Sequence, residues 1–286
     1  MLIIAHRGAW AETGLPEQTR ASFEAALHEI EADGVECDVR LTADGEVVCH
    51  HDATAERLTG DPRAIHEVTL AELRALDWDA TARRPSRGIV TLSELVGICR
   101  AVERPIVLAI ELKHPNPVGT ALEAAVLDVL TAAGWDPATS TIGTVGVSLM
   151  TFNPESLAVL LPVVPSEHIT LLTAEAALDD IAYAVDATGV DAVTRAALEE
   201  QLAAALTAGR ALIDAGAVGG VGPDIHAVRT EPAAIARWTT TGRTVRVWTV
   251  DDYADADLCA DLGVQQLETD RPRELLAWRD ARRNGR

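Results

Sequence analysis

Short apolar runs alternate with amphipathic stretches from one end of the chain to the other, and this alternation limits the possible folds more than any other feature. The runs are Leu2–Ala5, Val35–Val39, Val47–His51, Pro105–Leu112, Val145–Met150, Ile169–Leu172, Val218–Val221, Thr244–Val250 and Gln265–Glu268. Helical periodicity appears across Gln18–Ala32, Leu70–Leu76, Leu92–Val102, Gly119–Ala133 and Pro154–Leu161, with Thr91 and Ser93 as N-cap candidates for the third of these. Strands separated by helices pair in parallel, because each crossover helix returns the chain to the same end of the sheet. About eight such units in 286 residues predict an α/β fold, a closed (β/α)8 TIM barrel. No Gly-x-Gly-x-x-Gly follows the first run, which argues against an open dinucleotide-binding sheet.

Two stretches depart from the pattern. Glu56–Gly88 is longer than an ordinary connection and carries Pro62, Pro85 and several arginines. It predicts a small insertion, about residues 54–90, after the second βα region and over the barrel mouth. Ala174–Ala215 is Ala-rich and helical in pattern, and no sixth strand can be placed inside it. No low-complexity linker divides the chain, so residues 1–286 are expected to form one domain.

Composition narrows the function classes. The net charge of −20 repels polyanions, so binding to nucleic acid through a basic surface is not expected. No run approaches about 18 apolar residues, and Met1-Leu-Ile-Ile-Ala lacks the charged start of a signal peptide. These features predict a cytoplasmic protein without stable membrane association. Cys37, Cys49, Cys99 and Cys259 show no Cys-x-x-Cys spacing and are expected as buried, reduced thiols. Lys113 is the only lysine among 24 basic residues, which singles it out.

A barrel of this kind builds its site at the C-terminal ends of its strands. Those ends carry His6-Arg7, Glu36-x-Asp38, His50-His51-Asp52, Glu111-x-Lys113, Trp248 and Thr269-Asp270. Strand alternation places Glu36 and Asp38 on one face with Cys37 turned away, and likewise pairs Glu111 with Lys113. Three converging carboxylates either pair with arginines at the rim or hold a hard cation, Mg²⁺ or Ca²⁺, with Mn²⁺ an alternative. His6 and His51 are either hydrogen-bonded structural histidines or a general acid and base. Arg7 and Lys113 can grip a phosphate, and Trp248 can wall a substrate or fill the core.

In order along the chain stand His6-Arg7-Gly8, Pro16-Glu17-Gln18-Thr19, Glu36-x-Asp38, His51-Asp52, Glu111-x-Lys113, Phe152-Asn153-Pro154, Val247-Trp248-Thr249-Val250 and Thr269-Asp270-Arg271-Pro272. This ordered set resembles the glycerophosphodiester phosphodiesterase family over essentially the whole chain. The resemblance implies a (β/α)8 barrel that hydrolyses small glycerophosphodiesters to sn-glycerol 3-phosphate and an alcohol, or acts as a lysophospholipase D. It implies that Glu36, Asp38 and Glu111 bind one divalent cation and that His6 and His51 flank the scissile bond. Arg7 and Lys113 would hold the phosphate oxygens, and Trp248 the glycerol. Two positions depart from the family pattern: Gln18 replaces an Asn, and Thr151 a Ser. Two other chemistries use the same residues: a barrel aldolase with Lys113 as Schiff-base nucleophile, and a non-catalytic phosphate- or polyol-binding barrel.

Overall fold

A computed structural model describes residues 1–80, 83–174 and 192–285. Its strands are β1 (Leu2–Ala5), β2 (Gly34–Leu41), β3 (Val47–Cys49), β4 (Ile106–Leu112), β5 (Thr141–Ile142), β6 (Val145–Thr151), β7 (Ile169–Thr173), β8 (Gly220–Pro223), β9 (Thr244–Val247) and β10 (Gln266–Thr269). Eight of them pair in parallel in the order β1-β2-β4-β6-β7-β8-β9-β10, and β10 returns to β1 to close the ring. All five residues of β7 and all four of β8 are buried, as parallel strands covered on both faces require. The predicted (β/α)8 barrel is therefore the fold.

One apolar run has a different partner from the others. Val47–His51 reads as a strand, but β3 runs antiparallel to the far half of β2, with Val39 opposite Cys49. It forms a hairpin arm rising from the barrel, because Thr42-Ala-Asp-Gly is too short a connection for a parallel crossover. Without that run the remaining apolar runs number eight, each a parallel strand of the barrel, and the sixth is β8. The helix Ala192–Ala215 precedes it, and the rest of the Ala-rich stretch, 175–191, lies outside the described residues.

The barrel and its helices share one large apolar cluster, in which Cys37 and Cys49 are fully buried. Thr91 caps the helix Leu92–Arg100 through a reciprocal pair with Glu94. Between β3 and that helix the insertion folds around its own small cluster, made of Val48, Ala55, Leu58, Ile65, Val68, Leu73, Trp78 and Ile89. Its short helices are Glu56–Thr59 and Leu70–Arg74. Among the described residues no helix is long and apolar enough to cross a membrane.

Candidate active site

The strand β1 ends at Ala5, level with Val35 of β2 and Thr269 of β10. Its neighbour β2 continues past it, so Glu36 and Asp38 project over the barrel mouth. The register sets Asp38 opposite Glu111 of β4. One oxygen from each of Glu36, Asp38 and Glu111 lies within 4.8 Å of the other two. Glu36 and Asp38 are buried to 1% exposure, and Glu36 Oε1 has no hydrogen-bond partner among the described residues. Hard oxygens, converging and partly orphaned, suit a cation such as Mg²⁺ or Ca²⁺.

Two cations already border the cluster. Lys113 Nζ lies 2.8 Å from Glu111 Oε1 and 3.3 Å from Asp38 Oδ1. Arg7 Nε lies 3.2 Å from Asp38 Oδ2, and its backbone N–H donates to Glu36 Oε2 at 3.0 Å. Burial opposes ionisation of Asp38, but Lys113 and Arg7 outweigh it and hold the carboxyl well below its usual range. Glu36 goes the other way: burial pushes it up, and Asp38, Glu268 and Glu111 push further. The site therefore has unequal carboxylates, one firmly anionic and one that resists ionisation until a positive charge arrives.

Gln18 is bound to the cluster as well. Its Nε2 donates to Asp38 Oδ2 at 2.6 Å, and its backbone sits at φ 58°, where side chains other than Gly or Asn are uncommon. Gln18 thus reaches the acidic group directly.

Each of the two histidines is oriented by a carboxylate. His6 Nδ1 lies 2.8 Å from Asp270 Oδ1, and its Nε2 lies 4.0 Å from Glu36 Oε2. Asp270 also accepts from the Trp10 indole at 3.0 Å, and its backbone N–H donates to Asp251 Oδ1 at 2.9 Å. His51 Nδ1 lies 2.7 Å from Asp52 Oδ1. A carboxylate only accepts, so in both pairs Nδ1 donates. Burial, with Lys113 adding, pushes the His51 imidazole down to about 3, so it is neutral at physiological pH. His50 turns to the opposite face, bonds the Thr54 carbonyl and meets Trp78 edge-on.

Trp248 follows the last residue of β9 and donates its indole N–H to the Gly222 carbonyl at 2.9 Å. Phe152 packs edge-on against it at 5.6 Å. Trp248 and Phe152 pack against Ala109, Met150 and Leu172, whereas His6, Arg7, Glu36, Asp38, Glu111 and Lys113 are linked to one another by charged and polar pairs. Sequence reasoning assigned no role to Asp270, Asp251, Glu17 or Arg57. Asp270 and Glu17 lie inside quoted motifs, but Arg57 lies in the insertion, where no periodicity marks it.

A family model described as the glycerophosphoryl diester phosphodiesterase family matches residues 6–274. A Mycobacterium tuberculosis protein named probable glycerophosphodiester phosphodiesterase 1 is 31% identical, over 99% of this chain and 94% of its own length. A phosphodiesterase of Oleispira antarctica, solved in complex with the product sn-glycerol-3-phosphate, has a TM-score of 0.72 at 22% identity, covering 98% of this chain and 97% of that one. A glycerophosphodiester phosphodiesterase from Parabacteroides distasonis has a TM-score of 0.66 at 21% identity, covering 99% and 98%.

Proposed function

This chain belongs to the glycerophosphoryl diester phosphodiesterase family, and from that premise we propose a metal-dependent hydrolase that releases sn-glycerol 3-phosphate from small glycerophosphodiesters, with a histidine pair as acid and base. The observation that carries this reading is the convergence of three carboxylate oxygens within 4.8 Å, bordered by Arg7 and Lys113. Glu36, Asp38 and Glu111 would hold one divalent cation, Mg²⁺ or Ca²⁺. Such an ion supplies charge neutralisation at phosphate and a lowered pKa for a bound hydroxyl or water.

The chain's own residues do the rest. Arg7 and Lys113 bring fixed positive charge to the non-bridging oxygens, which carry the growing charge in phosphoryl transfer. Both are also salt-bridged to the acidic cluster, which holds them in place before substrate arrives. The free Nε2 of one histidine takes the proton of the attacking oxygen. The other histidine, protonated, delivers a proton to the leaving alkoxide. Asp270 and Asp52 fix the rings for this exchange by accepting from Nδ1. Trp248 and Phe152 offer an apolar surface to the glycerol carbons.

The test is release of glycerol 3-phosphate from glycerophosphocholine by chelated protein, then with Mg²⁺, Mn²⁺ or Ca²⁺ restored. Activity is expected only with metal, and His6→Ala and His51→Ala are each expected to lower kcat by about 10²–10⁴-fold with the fold intact. Full turnover in chelator, or in either variant, overturns the mechanism.

A further inference from the structure

The insertion supplies none of the carboxylates or histidines assigned above, yet one of its side chains bonds both the partner of His51 and a partner of Arg7. Arg57 stands in the helix Glu56–Thr59, just past the hairpin arm. Its Nε donates to Asp52 Oδ2 and its terminal nitrogen to Glu17 Oε1, both at 2.6 Å. The other oxygen of Asp52 holds His51 Nδ1 at 2.7 Å, while Glu17 Oε1 also accepts from Arg7 at 3.2 Å. Arg7 in turn reaches Asp38. An unbroken run of paired groups therefore links His51, Asp52, Arg57, Glu17, Arg7 and Asp38.

Asp52 and Glu17 are 6% and 5% exposed with the guanidinium in place, so Arg57 is their cover on the solvent side as well as their hydrogen-bond donor. A planar fork holds two carboxylates at a fixed angle, whereas an ammonium is a point charge on a flexible stem. If Arg57 were removed, Asp52 would lose the bond that fixes its second oxygen, and its carboxylate would be free to turn away from His51.

We propose that Arg57 is a positioning residue for the reaction: by locking Asp52 against His51 it sets the direction of the proton-exchanging Nε2. The insertion is thus part of the proton-transfer apparatus. This rests on the reading of His51 as acid or base.

The experiment compares Arg57→Ala, Arg57→Lys and Arg63→Ala as metal-loaded full-length protein. Arg63 is a control, an exposed insertion residue paired with Asp61 and Glu72. Arg57→Ala is expected to lower kcat by about 10–100-fold with KM within about twofold, the usual scale for losing a partner that orients an active group. Dilute guanidinium should restore part of that loss with saturation, Arg57→Lys should fall between, and Arg63→Ala should match the wild type. Unchanged kcat in Arg57→Ala, a loss carried by KM alone, or an equal loss in Arg63→Ala overturns the proposal. A second readout needs no turnover. In nitrogen-15 histidine spectra the His51 Nδ1–H should shift or vanish in Arg57→Ala, and an unchanged resonance overturns the positioning role. A wild type that cleaves no diester, with the His51 resonance still responding to Arg57, overturns the hydrolase reading and leaves the positioning of His51 standing.

Discussion

Glu268 and Arg246 face each other inside the barrel, both at 2% exposure, with Arg246 Nε 3.6 Å from Glu268 Oε1. Burial pushes the Glu268 carboxyl up to about 7, and the pull of Arg246 and His6 does not offset it. A carboxyl raised in this way stabilises the fold below its unfolded value near 4.5, and that stabilisation is lost as pH rises through about 7. Glu268→Gln keeps the shape and cannot ionise. In chelated protein it should therefore gain on the order of 1–3 kcal/mol over the wild type between pH 5 and pH 8, read by urea unfolding. A difference that does not change with pH would contradict a neutral Glu268. The type and position of Glu268 were plain in the sequence, but nothing in the run Gln265–Glu268 says that its carboxylate points inward under Glu36. That depends on the strand's register in a closed ring.

At the level of elements, β2 does two jobs. Its first half is a barrel stave between β1 and β4, and its second half pairs with β3 as an arm carrying the chain toward His51. The stave half depends on Gly34, where a Cβ would sit 2.2 Å from the Val107 carbonyl oxygen. That obstacle is backbone and cannot rotate away. Gly34→Ala should destabilise the protein by about 3 kcal/mol, the upper range for overpacking, as measured by chemical denaturation. Wild-type stability would mean that β2 and β4 can separate without loss. The apolar run at Val47–Cys49 was legible as a strand, but its direction was not: periodicity reports which faces are buried, and pairing direction follows from the length of the connection and the partner's position. The helix starts were more local and so more legible, as Thr91 shows by capping with Glu94 three residues on.

At the scale of the whole molecule, a chain of net charge −20 gathers Glu36, Asp38, Glu111 and Glu268 around one axis. Their mutual repulsion is a cost of folding that a bound cation relieves. A divalent ion at about 100 times its Kd should stabilise the native state by about 2.7 kcal/mol. For a chain this long that corresponds to roughly 5–10 °C in Tm, read by calorimetry of chelated and reloaded protein. Glu36→Gln should remove most of the shift while leaving the chelated protein folded. An equal shift in that variant would place the ion elsewhere.

The residues that bear chemistry, their order, the strand-and-helix alternation and the faces on which Glu36 and Asp38 project were all determined by the sequence itself. Each is a local property of residue type and spacing, repeated every few residues along the chain. Closure of the barrel decided the partners. His6 meets Asp270 across 264 positions because β1 pairs with β10. The arm of β2 and β3 brings Arg57 to Asp52 and Glu17, separations of 5 and 40 residues that follow no helical or strand period. Local patterns record whether a side chain is buried, and only the closed ring determines which buried side chain it meets.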